Sequence, residues 1–396
     1  MNTWYMIFWL AFAIVCYTYI GYGILLFLII RIRRALGIAR SFPYDLSYEP
    51  DVTLFITAYN EREQVAEKMK NTNDLDYPKN KLHVLWITDG SDDGSEDLLK
   101  HYPGIEVQHQ AERNGKIGAM NRGMAFVKTP IVVFCDANAM LGRESVRRMV
   151  RFFSDPKVGC VSGEKRIVQK QKDAAAAAGE SAYWKYESTL KKWDAELHSA
   201  IGAAGELFAI RTEHYELMEP DTLLDDLVIS LRIAMKGYII QYDPEAFAIE
   251  HASANIRQEI KRKIRISAGG LQSVIRLWPL LNIFKYGTLS FQYISHRVLR
   301  WTLTPICLLL MLPVNIHLAL QDGDHMTGLY DTLCGLQGLF YMSAAAGWYF
   351  ENRSIRIKLL FIPYYFLVMN LSLFMGCFRL LSQRQSVNWE KAERAT

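Results

Sequence analysis

Two short acidic clusters carry the chemistry that this chain is equipped for. Asp136-Ala137-Asn138 ends the apolar run Ile131 to Cys135, and Asp225-Asp226 opens a helical run from Leu227 to Lys236. A buried strand that runs into a carboxylate has to expose it at the strand end, or hydrate or pair it. Two such sites suit one pocket, one holding a cation and the other taking a proton. That pairing fits transfer of a group activated by a diphosphate, because the leaving charge needs a cation and the nucleophile needs a base. The alternatives are structural: a strand-end turn for the first cluster, helix capping for the second.

The elements that must position these groups are legible between Asp51 and about Pro156. Val52 to Ala58 reads as a strand, Arg62 to Asn71 as a helix and Leu82 to Thr88 as a second strand, which ends at Asp89-Gly90-Ser91-Asp92-Asp93-Gly94. A helix to Lys100, a strand from Ile105 to Gln108, a helix from Ile117 to Val127 and the strand Ile131 to Cys135 follow. Repeated β-α units with short connections predict a parallel sheet covered by helices. Ligands bind beyond the carboxyl ends of such strands. Asn60 and Glu61, Asp89, and Asp136 all fall there, so three sites converge on one rim.

The 396 residues are 51% hydrophobic with a net charge of +4. The apolar residues are concentrated at the ends of the chain. Trp4 to Ile30 is long and apolar enough to span a bilayer. It lacks a basic n-region and a small-residue cleavage site, which argues against a removable signal peptide. Arg31, Arg33, Arg34 and Arg40 follow it, so the middle of the chain is expected in the cytoplasm. Three later spans are expected at Val298 to Leu320, Gly328 to Phe350 and Ile357 to Leu381. Arg379, Arg384, Lys391 and Arg394 in the tail pull against an outside C-terminus, with Glu390 and Glu393 offsetting them in part. The chain therefore divides into an N-terminal span (1–34), a middle domain (45–255), amphipathic interface helices (256–297), a membrane region (298–381) and a polar tail (382–396). The basic residues gather near the membrane ends of the middle domain, which points to anionic headgroups and not to nucleic acid. The six cysteines form no CxxC pair and read as reduced and structural.

Ala174 to Ala178 reads as plain helix. Tyr183, Tyr186, Leu190, Trp193 and Leu197 recur at helical spacing, on a face that meets either a core or the membrane interface. Ile256, Ile260, Ile264, Ala268 and Leu271 form a second such face, opposite Arg257, Lys261, Arg262, Lys263 and Arg265. This one is expected in the interface, because a span follows closely.

At these residues the chain resembles the family-2, inverting, membrane-bound glycosyltransferases. It is most similar to the bacterial branch that makes extracellular polysaccharides, with the cellulose, hyaluronan and poly-N-acetylglucosamine synthases. The resemblance covers about Val52 to Trp301 and rests on motifs in family order. These are Thr57-Ala58-Tyr59-Asn60-Glu61, Asp89-Gly90-Ser91-Asp92-Asp93, Asn114-Gly115-Lys116 with Ala119-Met120-Asn121, and Asp136-Ala137-Asn138. Gly202 to Arg211, Asp225-Asp226 with Leu231-Arg232, and a basic segment ending Arg265-Ile266-Ser267-Ala268-Gly269-Gly270 follow.

The resemblance implies an α/β nucleotide-sugar-binding domain of the GT-A type attached to a helical transmembrane region. It implies that Asp89 accepts hydrogen bonds from the uracil or ribose of a donor, with helix capping at the next turn, by Ser91 or Asp92, as the alternative. Thr57, Tyr59 and Glu61 would line the same pocket, and Lys116 would meet phosphate oxygens or the nucleoside. Asp136 and Asn138 match a metal-binding DxD motif in which Asn replaces the second Asp, and hard oxygen ligands suit Mg2+ or Mn2+. His251 is either a third ligand or a satisfied histidine after a strand. Asp226, six residues before Arg232, matches the base that deprotonates the acceptor hydroxyl, and Asp225 its orienting neighbour. Gly202, Gly205 and Glu206 would let an acceptor sugar approach the backbone closely, a tight turn being the alternative.

The last motif departs from the family. Polymer synthases often carry QxxRW; here Arg262 replaces the glutamine and Ile266 the tryptophan, while Arg265 keeps its place and would contact the diphosphate. Loss of that acceptor-stacking indole puts processive synthesis in doubt, although Trp193 or Trp278 would offer a substitute. The implied function is transfer of a sugar, with inversion, from a nucleotide diphosphate donor, a UDP-sugar, to a lipid-linked or growing glycan acceptor. The implied setting is a bacterial inner membrane, crossed several times, with the catalytic domain cytoplasmic. A processive synthase that exports its polymer and a silent membrane subunit are the rival readings. The sequence identifies neither a protein partner nor an oligomeric state.

Overall fold

A computed structural model describes residues 3–38, 45, 47–168, 174–251, 256–321, 328–353, 355 and 357–382. The tail charges beyond Ser382, Arg40 and Arg356 lie outside the described residues.

Among the described residues the central sheet has eight strands: β1 (Val52–Ala58), β2 (Leu82–Asp89), β3 (Ile105–Gln110), β4 (Ile131–Asp136), β5 (Met140–Leu141), β6 (Val158–Val168), β7 (Leu207–Arg211) and β8 (Ile239–His251). Their spatial order is β3-β2-β1-β4-β7-β6-β8-β5. The parallel sheet expected between Asp51 and about Pro156 is present, and later strands make the whole sheet mixed. β1, β2, β3 and β4 run parallel, but β7 runs antiparallel to both β4 and β6. This reversal has a functional consequence. Leu207, the first residue of β7, pairs with Cys135 near the end of β4, so the loop before β7 reaches the same rim as Asp136. A parallel β7 would have carried Gly202 to Glu206 to the opposite edge.

Both faces of the sheet are covered, and the side-chain period of two divides the core. Ile131, Val133 and Cys135 of β4 face one apolar cluster with Val52, Leu54, Ile56, Val65 and Met149. Val132 and Phe134 face the other, with Ile117, Met120, Phe208, Leu227 and Leu231. Burial on both sides explains why β1 and β4 read as continuous apolar runs rather than alternating ones. The covering helices include α2 (Arg62–Asn73), α3 (Ser95–Leu99), α4 (Gly115–Gly123), α5 (Ser145–Val150), α6 (Ala174–Leu197) and α7 (Asp225–Met235), after the N-terminal helix α1 (Thr3–Ala35). The helix expected over Ile117 to Val127 starts two residues earlier and passes into a 3-10 turn at Met124–Phe126.

Among the described residues three helices are long and apolar enough to cross a membrane: α1, α9 (Leu303–Gln321) and α11 (Lys358–Leu381). The amphipathic α8 (Ile256–Arg276) precedes α9, and α10 (Leu329–Glu351) lies between α9 and α11. The fourth span expected at Gly328 to Phe350 is not supported on apolarity. Its helix α10 has the length but is diluted by Asp331, Gln337, Ser343 and three glycines. Its polar groups find partners: Gln337 accepts from Asn315 at 3.0 Å and Tyr330 accepts from Trp9 at 2.9 Å.

The catalytic domain is tied to α1 at the arginine end of that helix. Arg34 forms a two-pronged pair with Glu196 at 2.6 and 2.7 Å, and Arg33 donates to the Leu197 carbonyl at 2.8 Å. Tyr22 and Leu26 of α1 pack against Leu190 and Leu197 of α6. The apolar face of α6 thus lies on the first span. The amphipathic α8 is clamped between the catalytic domain and α11. A Cβ on Gly269 would meet Leu224 at 2.6 Å, and one on Gly376 would meet the Ala268 backbone nitrogen at 2.7 Å.

A buried polar network locks this junction. His296 bridges Asp194 at 2.6 Å and Glu187 at 3.1 Å, while Tyr22 donates to Asp194. Arg297 and Arg300 each donate to Glu187 at 2.8 Å, and they hold its carboxyl well below the usual carboxylate range against the opposing effect of burial. Arg297 also donates to the Ile201 carbonyl at 3.4 Å, beside the loop that enters β7. Removing Glu187 would leave two half-buried guanidinium groups without their counter-charge, a loss of about 3–5 kcal/mol. Glu187→Ala is accordingly expected to lower the Tm of the solubilised protein markedly, with Glu187→Gln intermediate, as read by intrinsic fluorescence.

Candidate active site

Each motif reaches the rim through a local device. Asn60 sits at φ 53°, the left-handed region that Asn tolerates better than most residues. Its side chain donates to Asp92 at 2.8 Å and accepts from the Asp92 N–H at 3.0 Å, so the ends of β1 and β2 are clipped together. The capping expected of Ser91 or Asp92 falls instead to Asp93, whose carboxylate accepts from the N–H groups of Ser95 and Arg62 at 3.0 and 2.9 Å.

Asp89 divides its two oxygens. Oδ2 accepts from the N–H groups of Asn114 and Gly115 at 3.0 and 2.7 Å and so anchors the start of α4. Oδ1 is buried and has no hydrogen-bond partner among the described residues. Burial raises its pKa, although those two N–H groups and Arg122 oppose the shift. An orphaned buried acceptor costs free energy until a ligand N–H or O–H satisfies it. Thr57 and Glu61 are buried nearby at the end of β1 and start of α2. Tyr59 carries the Arg113 guanidinium 3.6 Å from its ring centroid. Arg113 was missed in the sequence, although it directly precedes Asn114-Gly115-Lys116. Gly90 makes room for it: at φ +67°, a Cβ there would lie 2.6 Å from the Arg113 side chain.

The structure brings the two acidic clusters together through Lys116. Its Nζ lies 3.0 Å from Asp136 Oδ1 and 3.2 Å from Asp225 Oδ2. Burial alone would lower the lysine's pKa, but Asp136, Asp225 and Asp226 together raise it, so the ammonium stays charged. Asp136 is raised by burial and opposed by Lys116. Asn138 donates weakly to Glu61 at 3.4 Å, and its Oδ1 is buried without a partner. The Asp136 carboxylate and this amide oxygen are hard donors of the kind that fits Mg2+ or Mn2+. Among the described residues no cluster of three His, Cys, Asp or Glu forms an all-protein metal cage. The His251 side chain lies outside them.

Asp225 and Asp226 open α7. Burial, and then the neighbouring Asp225, push the Asp226 carboxyl up to about 7. Across from it stands Gly205, where a Cβ would lie 3.3 Å from Asp226 Oδ2. Gly202, at φ +90°, passes Leu227 at a distance no Cβ tolerates (2.4 Å). Glu206 does not project freely toward an acceptor, because it shares the buried ammonium of Lys165 with Glu250. Lys165 and Glu250 were not foreseen, since β6 and β8 were not. Arg262 faces the same group: Glu259, 3.7 Å away, and then Glu206 and Glu250 raise its pKa against burial. Arg265 is half-buried and, among the described residues, makes no ion pair with these carboxylates. Trp193 packs on Phe27 of α1, so it serves the membrane junction rather than an acceptor. Trp278 is exposed, and Trp301, unremarked in the sequence, lies where a Gly270 Cβ would meet its ring at 2.7 Å.

The raised Asp226 pKa gives a stability signature with a definite sign. A carboxyl whose folded pKa lies above its unfolded one contributes stability below the ordinary carboxylate range, and loses it as pH rises through about 7. Asp226→Asn, neutral throughout, should therefore gain Tm over the wild type progressively from pH 5 to pH 8, in donor-free, metal-free thermal denaturation.

The mixed sheet, the rim of motifs and the paired carboxylates define a GT-A-type glycosyltransferase domain. Residues 50–269 match the model of Glycosyltransferase like family 2, and the chain belongs to that family. It is 25% identical over 256 residues to the poly-β-1,6-N-acetyl-D-glucosamine synthase of Staphylococcus aureus (strain COL), covering 60% of each chain. It is 23% identical over 279 residues to the synthase of that name from Staphylococcus epidermidis, covering 67% of this chain and 66% of that one. The match thus spans about 60% of the length of the first of these relatives. A mannosyltransferase from Pyrobaculum calidifontis, solved with GDP-Man and Mn2+, superposes with a TM-score of 0.70 at 22% identity, over 96% of this chain and all of that one. That likeness extends the shared fold to the helical region.

Proposed function

We propose that this protein is a membrane-held, inverting glycosyltransferase that moves a sugar from a nucleotide diphosphate donor, a UDP-sugar, to a lipid-linked or growing glycan acceptor in extracellular polysaccharide synthesis. The observation that carries the reading is the convergence of Lys116, Asp136 and Asp225 within 3.2 Å contacts, with Asp226 beside them facing Gly205. Donor and acceptor sides of one reaction meet there.

In this reading Asp89 Oδ1 accepts from the nucleobase or ribose, and the stacked Tyr59 and Arg113 wall the nucleoside pocket. An acceptor hydroxyl enters over Gly205 and gives its proton to Asp226. Its oxygen attacks the anomeric carbon as the bond from that carbon to the diphosphate oxygen breaks. One in-line displacement inverts the centre and leaves no covalent enzyme intermediate. Lys116 and the basic face of α8 receive the charge on the departing nucleoside diphosphate. A divalent cation held by Asp136 and Asn138 would neutralise more of that charge when bound.

The membrane setting rests on α1, α9 and α11, and on the arginines that dock the catalytic domain to α1. Positive residues at that end support the reading of a cytoplasmic domain in a multi-pass protein of the bacterial inner membrane. A processive synthase is the second reading, favoured by the names of the staphylococcal relatives. Ile266 and Arg262 weigh against it: no indole offers a stacking face there, and a guanidinium suits an acceptor phosphate. A time course with labelled donor, resolved by size, separates the two. Short lipid-linked products at low turnover are expected; long polymer without short intermediates would replace this reading with the synthase one.

A further inference from the structure

We propose that Lys116 is a tethered cation that holds the empty site closed to a free divalent metal, so that metal and nucleoside diphosphate enter together. The inference rests on the metal and donor roles proposed above and adds the order in which they bind.

Lys116 Nζ joins two carboxylates from different elements, Asp136 at the end of β4 and Asp225 at the start of α7, at 3.0 and 3.2 Å. A small gap beside this ion pair is lined by Thr57, Lys116, Asp136 and Gly205 with Phe55, Met120, Phe134 and Cys135, so Lys116 and Asp136 supply its charged wall. A divalent cation on Asp136 would sit about 2.0–2.6 Å from the oxygen that the ammonium now holds. Two positive charges cannot share that oxygen cheaply, and an ammonium displaced from Asp136 would lose the closer of its two carboxylate partners and keep Asp225. A free metal ion therefore competes with Lys116 and offers it nothing. A metal bound to a diphosphate brings its own anionic oxygens, which give the ammonium a new partner.

The position of Lys116 is also tied to the nucleoside pocket. It follows Gly115, whose N–H is held by Asp89 Oδ2 at 2.7 Å, while Asp89 Oδ1 stays free and buried. Nucleoside recognition and the placing of the ammonium thus fall on adjacent residues. In the empty enzyme the same ammonium holds down the charge of the carboxylate pair that opens α7.

The test measures Mn2+ binding to full-length protein in detergent micelles, by the electron paramagnetic resonance of free Mn2+, without nucleotide and with UDP or GDP. The wild type should bind Mn2+ weakly alone and at least roughly tenfold more tightly with the matching nucleotide. Lys116→Met should bind Mn2+ alone roughly tenfold or more tightly than the wild type and lose most of the nucleotide-induced gain. Lys116→Arg, which keeps the charge, should stay weak in the absence of nucleotide, and Asp136→Ala should lose the site. Retained Tm checks the fold of each variant. Equal Mn2+ affinity of wild type and Lys116→Met without nucleotide, at a site that Asp136→Ala removes, would overturn the inference and leave the metal role standing. Absence of Mn2+ binding in every variant, even with nucleotide, would overturn both.

Discussion

Replacing Asp226 by asparagine is expected to lower sugar transfer by roughly 10²–10⁴-fold, the range over which positioned general bases contribute. Donor binding should stay within a few-fold of the wild type. The two effects separate because the proposed mechanism assigns Asp226, which faces Gly205, to the acceptor, and the buried Asp89 and Thr57 to the donor. Asparagine keeps the shape and loses the proton-accepting charge. It also relieves repulsion from Asp225, so a loss of turnover should accompany a gain in Tm above pH 7, which excludes misfolding as the cause. Turnover under saturating donor, set beside nucleotide affinity by calorimetry, is the measurement. A variant that keeps a third of wild-type turnover would remove Asp226 from the mechanism.

The second large effect is expected at the cation. Excess chelator should abolish turnover, and Mg2+ or Mn2+ should restore it. Asp136→Ala should lose both metal-dependent donor binding and transfer. Asn138 contributes a neutral oxygen and not a second charge, so Asn138→Ala should raise the metal requirement more gently. Asn138→Asp should tighten the metal. Titration of activity against free Mn2+ reads all three. Full activity in chelator after extensive dialysis would remove the metal from the account.

Much of the donor side was legible in the sequence, because its signals are local. β1, β2 and β4 are apolar runs that end in a carboxylate or an Asn-Glu turn, and Asp225-Asp226 sits at a helix start. Strand direction was not legible. Leu207 to Arg211 looks the same whether it runs with β4 or against it, and the pairing energy that decides between them is tertiary. β6 hid for a different reason: it carries Glu164 and Lys165, charged residues that interrupt an apolar pattern. Their partners are remote, since Lys165 meets Glu206 and Glu250, 41 and 85 residues away. The dual use of Asp89 was half visible. Its place at a strand end marked it as an acceptor, but only the fold shows one oxygen holding α4 and the other without a hydrogen-bond partner among the described residues. At α10 the length expected of a span is present, but its polar residues and glycines dilute the apolarity more than the sequence reading weighed.

The central claim is that nucleotide diphosphate sugars are turned over at the Asp136–Asp226 rim. The direct measurement incubates the purified full-length protein, in bilayer discs with Mn2+ and a lipid extract, with a panel of UDP- and GDP-sugars, and follows release of nucleoside diphosphate. The account expects release from a UDP-sugar, abolished in Asp136→Ala and in Asp226→Asn. Release from no donor, or release that Asp226→Asn leaves untouched, would contradict it.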